Sequence, residues 1–491
     1  MKLLFVASEA APFVKVGGLG EVMHSLPRAL REAGHDARVM VPKYDIIDTE
    51  QFPLRMECEG LHPALDTEDP HDTFVSNVLR YEDSKRHTIA YFVENMEYYE
   101  KRANVYGYSD DTIRWVLFSR CVLEFLRQSD WTPDIIIASD WQTGFIPNLL
   151  KTEYQDSIRL KRIKTVFSIH NLQFQGMFDH HFVAEMDYDA GQAPIPSLLD
   201  PRLLKLNGMR RGIMYADFLN TVSPTYAKEI LTEQLGEKLN DLLIERRSRL
   251  FGILNGIDTE EMSPETDPNI ESRYSMSTLE KRSPNKIALQ KQFGLPLNPE
   301  KFVIGIVSRM EEQKGFNLIV EIAESLMQNI DFQLIVVGNG SNEYRGFFQS
   351  LQERFPDRVA GHYFFDAKLP RMIFAGADAI LIPSRFEPSG LVQMEAMRYG
   401  AVPIVRQTGG LADSVEDHVP GEGKGTGFVF KNYDKFALLI AMVRSAETFH
   451  DRKEWERIMK RAMKKDFSWK TSAREYLKLF SLALADGKQE G

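Results

Sequence analysis

The sequence predicts an α/β protein made of two doubly wound, Rossmann-like parallel-sheet domains in tandem. Apolar strand-like runs alternate with helical stretches from the first residues onward. The alternation restarts after a Pro-, Asn- and charge-rich connection at about 259–300. At 491 residues the chain is also too long for one compact core. Alternating β and α units imply parallel strands joined by crossover helices.

The first 45 residues show one such unit. "LLFVAS" reads as a strand that runs into the glycine-bearing loop "KVGGLG". Val22, Leu26, Leu30 and Ala33 then recur at helical spacing on one face. Gly34 ends the helix, and "ARVMVP" is the next strand. The stretch 45–110 reads as polar and irregular, with "DTEDPHD" as a solvated loop. Further strand-to-helix steps follow at "DIIIASDWQTG", "TVFSIHNLQFQG" and "FLNTVSPTYAKEI", and "LFGILNGID" closes a first domain over 1–258. After the connection, "FVIGIVSRMEEQKG", "DFQLIVVGNG", "DAILIPSRFEPSG" and "AVPIVRQTGG" repeat the pattern in a second domain over 259–470, leaving 471–491. Strand-to-helix turns of this kind lie at the carboxyl edge of a parallel sheet, where α/β ligands bind. Two sheets in tandem are expected to place two such edges on one cleft.

Composition excludes several classes. A net charge of −10 argues against a non-specific nucleic-acid or anionic-membrane surface. With Cys58 and Cys121 alone there is no disulfide framework, which points to a reducing, cytoplasmic compartment. The short N-terminal apolar run reads as strand one, without a signal or transit peptide, and no run approaches 18 apolar residues.

The motifs narrow the chemistry. No G-x-x-x-x-G-K-[ST] occurs, and "GNGSNE" lacks the third glycine of a dinucleotide fingerprint. Asp187-Tyr188-Asp189 is a D-x-D with no strand before it, and is read as chance. The adjacent His180 and His181 read as a surface pair. No metal site is expected. Lys15 beside Gly17 and Gly18 suits an anion brought close to the backbone at a helix N-terminus. Arg309 and Lys314, with a glycine at the next helix start, suit a diphosphate whose charge rises as a bond to it breaks. Glu387 and Glu395 form E-x7-E, the first on a loop broken by Pro388 and Gly390 and the second inside the following helix. Carboxylates there are good acceptors for sugar hydroxyls.

Taken together, "KVGGL", "SDWQTG", "IHNLQFQG", "TVSPTYA", "LNGID", "SRMEEQKG", "PSRFEPSGL" and "RQTGGLADSV" resemble, in order and spacing, the bacterial glycogen synthases and plant starch synthases. The resemblance runs from residue 1 to about residue 480. It implies a GT-B fold with the active cleft between the two domains. It also implies retaining transfer of glucose from ADP-glucose to the 4-hydroxyl at the non-reducing end of an α-1,4-glucan, with no metal or other cofactor. By motif, Lys15, Gly17 and Gly18 lie near the donor, and Asp140 and His170 line the glucose and acceptor side. Arg309 and Lys314 clamp the diphosphate, and Glu387 holds the sugar ring. Ser389, Gly390, Leu391 and Thr408 line the substrate, Gly409 and Gly410 offer backbone N–H groups to phosphate, and Asn255 lies near the cleft. The stretch "DFSWKTSAREYLKLF" resembles the family's C-terminal helix, which crosses back to the first domain.

Three positions depart from the family pattern. Ser389 stands where Cys is usual, Glu21 where Asp is usual, and Glu395 where a non-acidic residue is usual. E-x7-E marks the broader retaining GT-B transferases, in which the second glutamate binds the nucleotide ribose. Two other readings follow: a retaining glucosyltransferase that uses a small acceptor or UDP-glucose, and a glucan-binding protein with a dead site. The intact set of Lys15, His170, Arg309, Lys314 and Glu387 counts against the last.

Overall fold

The computed structural model describes residues 1–63, 73–83, 85, 88–176, 179–181 and 189–486. Its contacts divide the chain into two compact units, Met1–Gly256 with Trp469–Gly491, and Ile257–Ser468. Among the described residues no helix is long and apolar enough to cross a membrane.

The first unit is built on nine strands: β1 (Lys2–Val6), β2 (Asp36–Pro42), β3 (Arg55–Leu61), β4 (Ser76–Asp83), β5 (Thr88–Glu94), β6 (Ile135–Ser139), β7 (Lys164–Ile169), β8 (Phe218–Thr221) and β9 (Leu250–Gly252). They lie in the order β3-β4-β5-β2-β1-β6-β7-β8-β9. Every pairing from β5 to β9 is parallel. Strands buried on both faces read as unbroken apolar runs, and Leu3, Leu4, Phe5 and Val6 of β1 are all fully buried.

The stretch 45–110 departs from the irregular chain expected of it. It holds β3, β4 and β5, with β4 antiparallel to both neighbours. β3, "RMECEGL", is almost wholly exposed, which an antiparallel edge strand tolerates and a parallel one does not. Its polarity hid it. The segment "DTEDPHD" lies outside the described residues.

The helix Gly18–Glu32 buries Val22, Leu26 and Leu30 as its spacing requires, while Ala33 is exposed at the cap. Gly34, at φ +89°, closes it, and His35 N–H reaches back 3.1 Å to the Leu30 carbonyl. The helix Trp469–Asp486 packs on the helix Gly18–Glu32 and on β7. Phe480 meets Phe5 edge to face, and Tyr476 accepts from Asn220 at 3.1 Å.

The second unit has six strands: β10 (Phe302–Val307), β11 (Phe332–Val337), β12 (Val359–His362), β13 (Ala379–Ile382), β14 (Val402–Arg406) and β15 (Phe428–Phe430). Their order is β12-β11-β10-β13-β14-β15 and all pairings are parallel. Apolar cores cover both faces. The charged connection at 259–300 is not a loose linker: Met262, Ile270, Tyr274 and Leu289 are buried in the second of these cores. Tyr274 also donates to the Tyr399 carbonyl at 2.7 Å.

Candidate active site

Counting only parallel strands in chain order, both sheets run 3-2-1-4-5-6, the first with one strand more. That order reverses direction between β1 and β6 in the first unit and between β10 and β13 in the second. Ligands of such sheets bind outside the carboxyl ends at this reversal. The loops after β1, β6, β7, β10, β13 and β14 carry nearly all the residues singled out from sequence.

In the first unit, β1 leads through Ser8 and Glu9 into the glycine loop. Glu9 is only 3% exposed. Its Oε2 accepts from the backbone N–H groups of Val16 and Gly17, the latter at 2.9 Å, and its Oε1 accepts from Tyr106 Oη at 3.3 Å. Gly20 is packed so closely that a Cβ there would lie 3.1 Å from Glu9 Oε2. Lys15, half exposed, donates to Glu21 at 3.0 Å, and Ser25 steadies Glu21 at 2.8 Å. The helix Gly18–Glu32 begins with no side-chain cap, and the Glu9 carboxylate sits on the N–H of its Gly17 cap, at the positive end of the helix dipole.

Asp140 is the first residue past β6 and sits at φ +58°, a left-handed conformation that Asp tolerates better than most residues. The turn aims its Oδ1 at the N–H groups of His170, at 2.7 Å, and Asn171, at 3.4 Å, past β7. Withdrawal from water pushes the Asp140 carboxyl up to about 7, with the two N–H groups pulling the other way and the Glu9 charge adding to the rise. Burial pushes His170 down to about 4, so its ring is neutral at neutral pH, with Nε2 3.1 Å from Ser168 Oγ. This edge therefore offers a carboxyl near its midpoint and a neutral imidazole, groups suited to hydroxyls and protons.

In the second unit, the loop after β10 lies directly on the loop after β13. Gly315, at φ +79°, makes this possible, because a Cβ there would fall 2.1 Å from the Pro383 carbonyl oxygen. The contact joins Lys314 to Glu387: Nζ donates to Oε1 at 2.8 Å and to Oε2 at 2.7 Å, and Ser384 Oγ donates to Oε2 at 2.9 Å. Arg309 is well exposed and touches only Glu311 among the described ion pairs, at 3.1 Å. The edge thus carries two cations within one loop, one of them held by a carboxylate that a ligand can replace.

The loop after β14 corrects one expectation. Gly410 N–H donates to the carbonyls of Glu387, at 3.0 Å, and Pro388, at 3.2 Å, and so is not offered to a phosphate. A Cβ on Gly409 or Gly410 would fall 2.0 Å from the Glu387 carbonyl oxygen or 1.7 Å from that of Ser389. The glycine pair lets this backbone press against the Glu387 loop. Thr408, just before it, is fully buried. Ser389 is buried with its Oγ unpaired among the described residues, and Gln393 holds the carbonyls of Ser389 and Gly390 at 3.2 and 2.8 Å. Leu391 precedes the helix Val392–Arg398, in which Glu395 is half-buried.

Other residues fall elsewhere. Asn255, past β9, is buried with Oδ1 unpaired among the described residues. Asp189 of the D-x-D is committed to Arg211, at 2.7 Å, while Asp187 and Tyr188 lie outside the described residues. His180 and His181 are not a surface pair: His180 is buried, and both rings meet Glu237 Oε2, at 3.0 and 2.9 Å. Lys238 holds both of their carbonyls. The sequence reading missed Glu9, Tyr106 and Ser384. For Glu9 a signal existed: a carboxylate just past the buried apolar run of β1 must find donors nearby.

The geometry has counterparts in known proteins. The starch synthase catalytic domain family matches residues 2–245, and the glycosyl transferases group 1 family matches residues 289–464. A glycogen synthase from Thermotoga petrophila is 42% identical over 490 residues, spanning 99% of both chains. One from Clostridium perfringens is 42% identical over 483 residues, spanning 98% of both. The solved catalytic domain of starch synthase IV from Arabidopsis thaliana, bound to ADP and acarbose, aligns with a TM-score of 0.83 at 30% identity over 99% of both chains. Sucrose-phosphate synthase from Thermosynechococcus elongatus shares the fold alone, with a TM-score of 0.60 at 18% identity over 99% of both chains. The fold is GT-B, and the chain is a glycosyltransferase that belongs to the glycogen synthase and starch synthase family.

Proposed function

We propose that the chain transfers glucose from ADP-glucose to the 4-hydroxyl at the non-reducing end of an α-1,4-glucan, with retention at the anomeric carbon and without a divalent metal. The observation that carries this is the Lys314–Glu387–Ser384 cluster with Arg309 on the same loop. Charge collects on the diphosphate as the glycosidic bond to it breaks, and two placed cations stabilise that charge most in the transition state. A phosphate that takes Lys314 frees the Glu387 carboxylate for the sugar hydroxyls. Ser389, Gly390, Leu391, Thr408, Gly409 and Gly410 shape this pocket, and Glu395 takes the ribose.

In the first unit, Lys15 with Gly17 and Gly18 serves the donor, while Asp140, His170 and Asn255 serve glucose and acceptor. The ADP and acarbose bound to Arabidopsis starch synthase IV support the choice of base and acceptor class. The commitment of Asp189 to Arg211 supports chemistry without a metal at the D-x-D.

Purified protein assayed with ADP-glucose or UDP-glucose against glycogen, maltose and glucose 1-phosphate tests the reading. ADP-glucose with glycogen is expected to be fastest and unaffected by a chelator. Faster transfer from UDP-glucose, or to glucose 1-phosphate, overturns the donor or acceptor assignment. Loss of activity in chelator, restored by magnesium or manganese, overturns metal independence.

A further inference from the structure

The glycine loop is wound around a buried carboxylate of its own chain. Two successive backbone N–H groups, those of Val16 and Gly17, converge on one oxygen of Glu9, and Tyr106 holds the other. Converging N–H groups of this kind form an anion-binding nest. Here the anion is internal, so the loop's backbone is fixed from below while Lys15 and Val16 remain open to solvent. Tyr106 is itself tied to Ser8 at 2.8 Å, and Ser8 to Tyr44 at 2.7 Å, so the anchor continues into β1.

We propose that Glu9 is a positioning residue for the transfer reaction: its carboxylate fixes the glycine loop so that Lys15 and the start of the helix Gly18–Glu32 meet the donor. This rests on the reading of the loop as a donor-binding element. Glu9 lies past β1 and Asp140 past β6, on either side of the strand-order reversal.

The test uses E9Q and E9A in the full chain, with circular dichroism and thermal melting to count folded protein. Glutamine keeps an acceptor oxygen for Val16 and Gly17 but no charge; alanine keeps neither. E9A should lower kcat/KM for ADP-glucose about a hundredfold, the order expected when a reacting group is misplaced by about an ångström. E9Q should raise the donor KM about tenfold, the lower end for hydrogen bonds to a charged group. It should leave kcat at saturating donor nearly unchanged. A merely structural Glu9 would lower the folded fraction while leaving the donor KM of the folded protein unchanged. A wild-type donor KM in folded E9Q overturns the proposal while leaving the donor reading intact. Wild-type protein that turns over no ADP-glucose overturns both.

Discussion

At the carboxyl edge of the first sheet, Asp140 titrates near 7 and His170 near 4, both driven toward neutrality by loss of water. At the same edge of the second sheet, Lys314 and Glu387 face each other as a close ion pair, and Arg309 stands in solvent. The strand order is the same in both. What differs is how the loops treat charge: those after β6 and β7 suppress it, and those after β10 and β13 conserve it in a pair that a ligand can divide. A sheet edge fixes where side chains converge, and the loops decide the chemistry.

The strongest way to break the contrast is to remove a cation from the second edge. R309A and K314A should each lower kcat by orders of magnitude, since losing one contact to a developing oxyanion costs about 3–4 kcal/mol. The two should differ in stability. Arg309 is exposed and pairs with Glu311, so R309A should leave the melting temperature unchanged. K314A leaves the largely buried Glu387 with Ser384 as its side-chain partner, so it should also melt earlier. Steady-state kinetics beside thermal melts decides the matter, and a near-normal kcat in either variant removes that residue from the diphosphate.

The glycines give a second, smaller test. At Gly410 a new Cβ would strike the Ser389 backbone at 1.7 Å, and backbone cannot step aside. At Gly20 the nearest neighbours are Glu9 Oε2 at 3.1 Å and Lys15 Cα and Cγ at 3.3 Å, so a shift of a few tenths of an ångström makes room. G410A should therefore destabilise its unit by about 1–3 kcal/mol or more, and G20A by less, measured by denaturant melts of each. Equal losses would show the first loop to be as tightly packed as the second.

Much of this was legible from sequence because the relevant signals are local. Apolar runs such as "LLFV" and "DIIIAS" announce parallel strands, and a glycine-bearing turn after each marks the carboxyl edge. That is enough to find Lys15, Asp140, His170, Arg309, Lys314 and Glu387. Two kinds of feature escaped. β3 was hidden because an exposed antiparallel edge strand needs no apolar run. Partnerships between distant loops escaped because spacing says nothing about them. Glu9 with Val16, Lys314 with Glu387 and Gly410 with Glu387 are set by how turns stack. The same stacking gave Gly410 N–H an internal acceptor in place of a phosphate.

The last test asks whether the first edge really suppresses charge, and it reads stability. Asp140 takes up its proton at about 7 in the folded chain, against an ordinary value of 3.8. Between those values the folded state binds more protons than the unfolded chain, so this group lowers stability as pH rises toward 7. His170 acts in the opposite sense: at about 4 against an ordinary 6.5, it leaves the extra proton on the unfolded chain, so stability rises with pH across that window. The two oppose each other over most of the same range, and D140N separates them. Asparagine keeps an oxygen for the His170 N–H but has nothing to titrate. The melting temperature of D140N minus that of wild type should therefore climb as pH rises to about 7 and then level off. Because Asp140 is not wholly enclosed, an effect of about 1 kcal/mol is expected, roughly 2–4 °C for a unit of this size. D140N itself should stabilise with pH up to about 6.5, with His170 and His35, both lowered by burial, acting in the same sense. A difference that stays flat across the whole range would mean that Asp140 is ionised at neutral pH, and that the loops after β6 and β7 carry charge just as the second edge does.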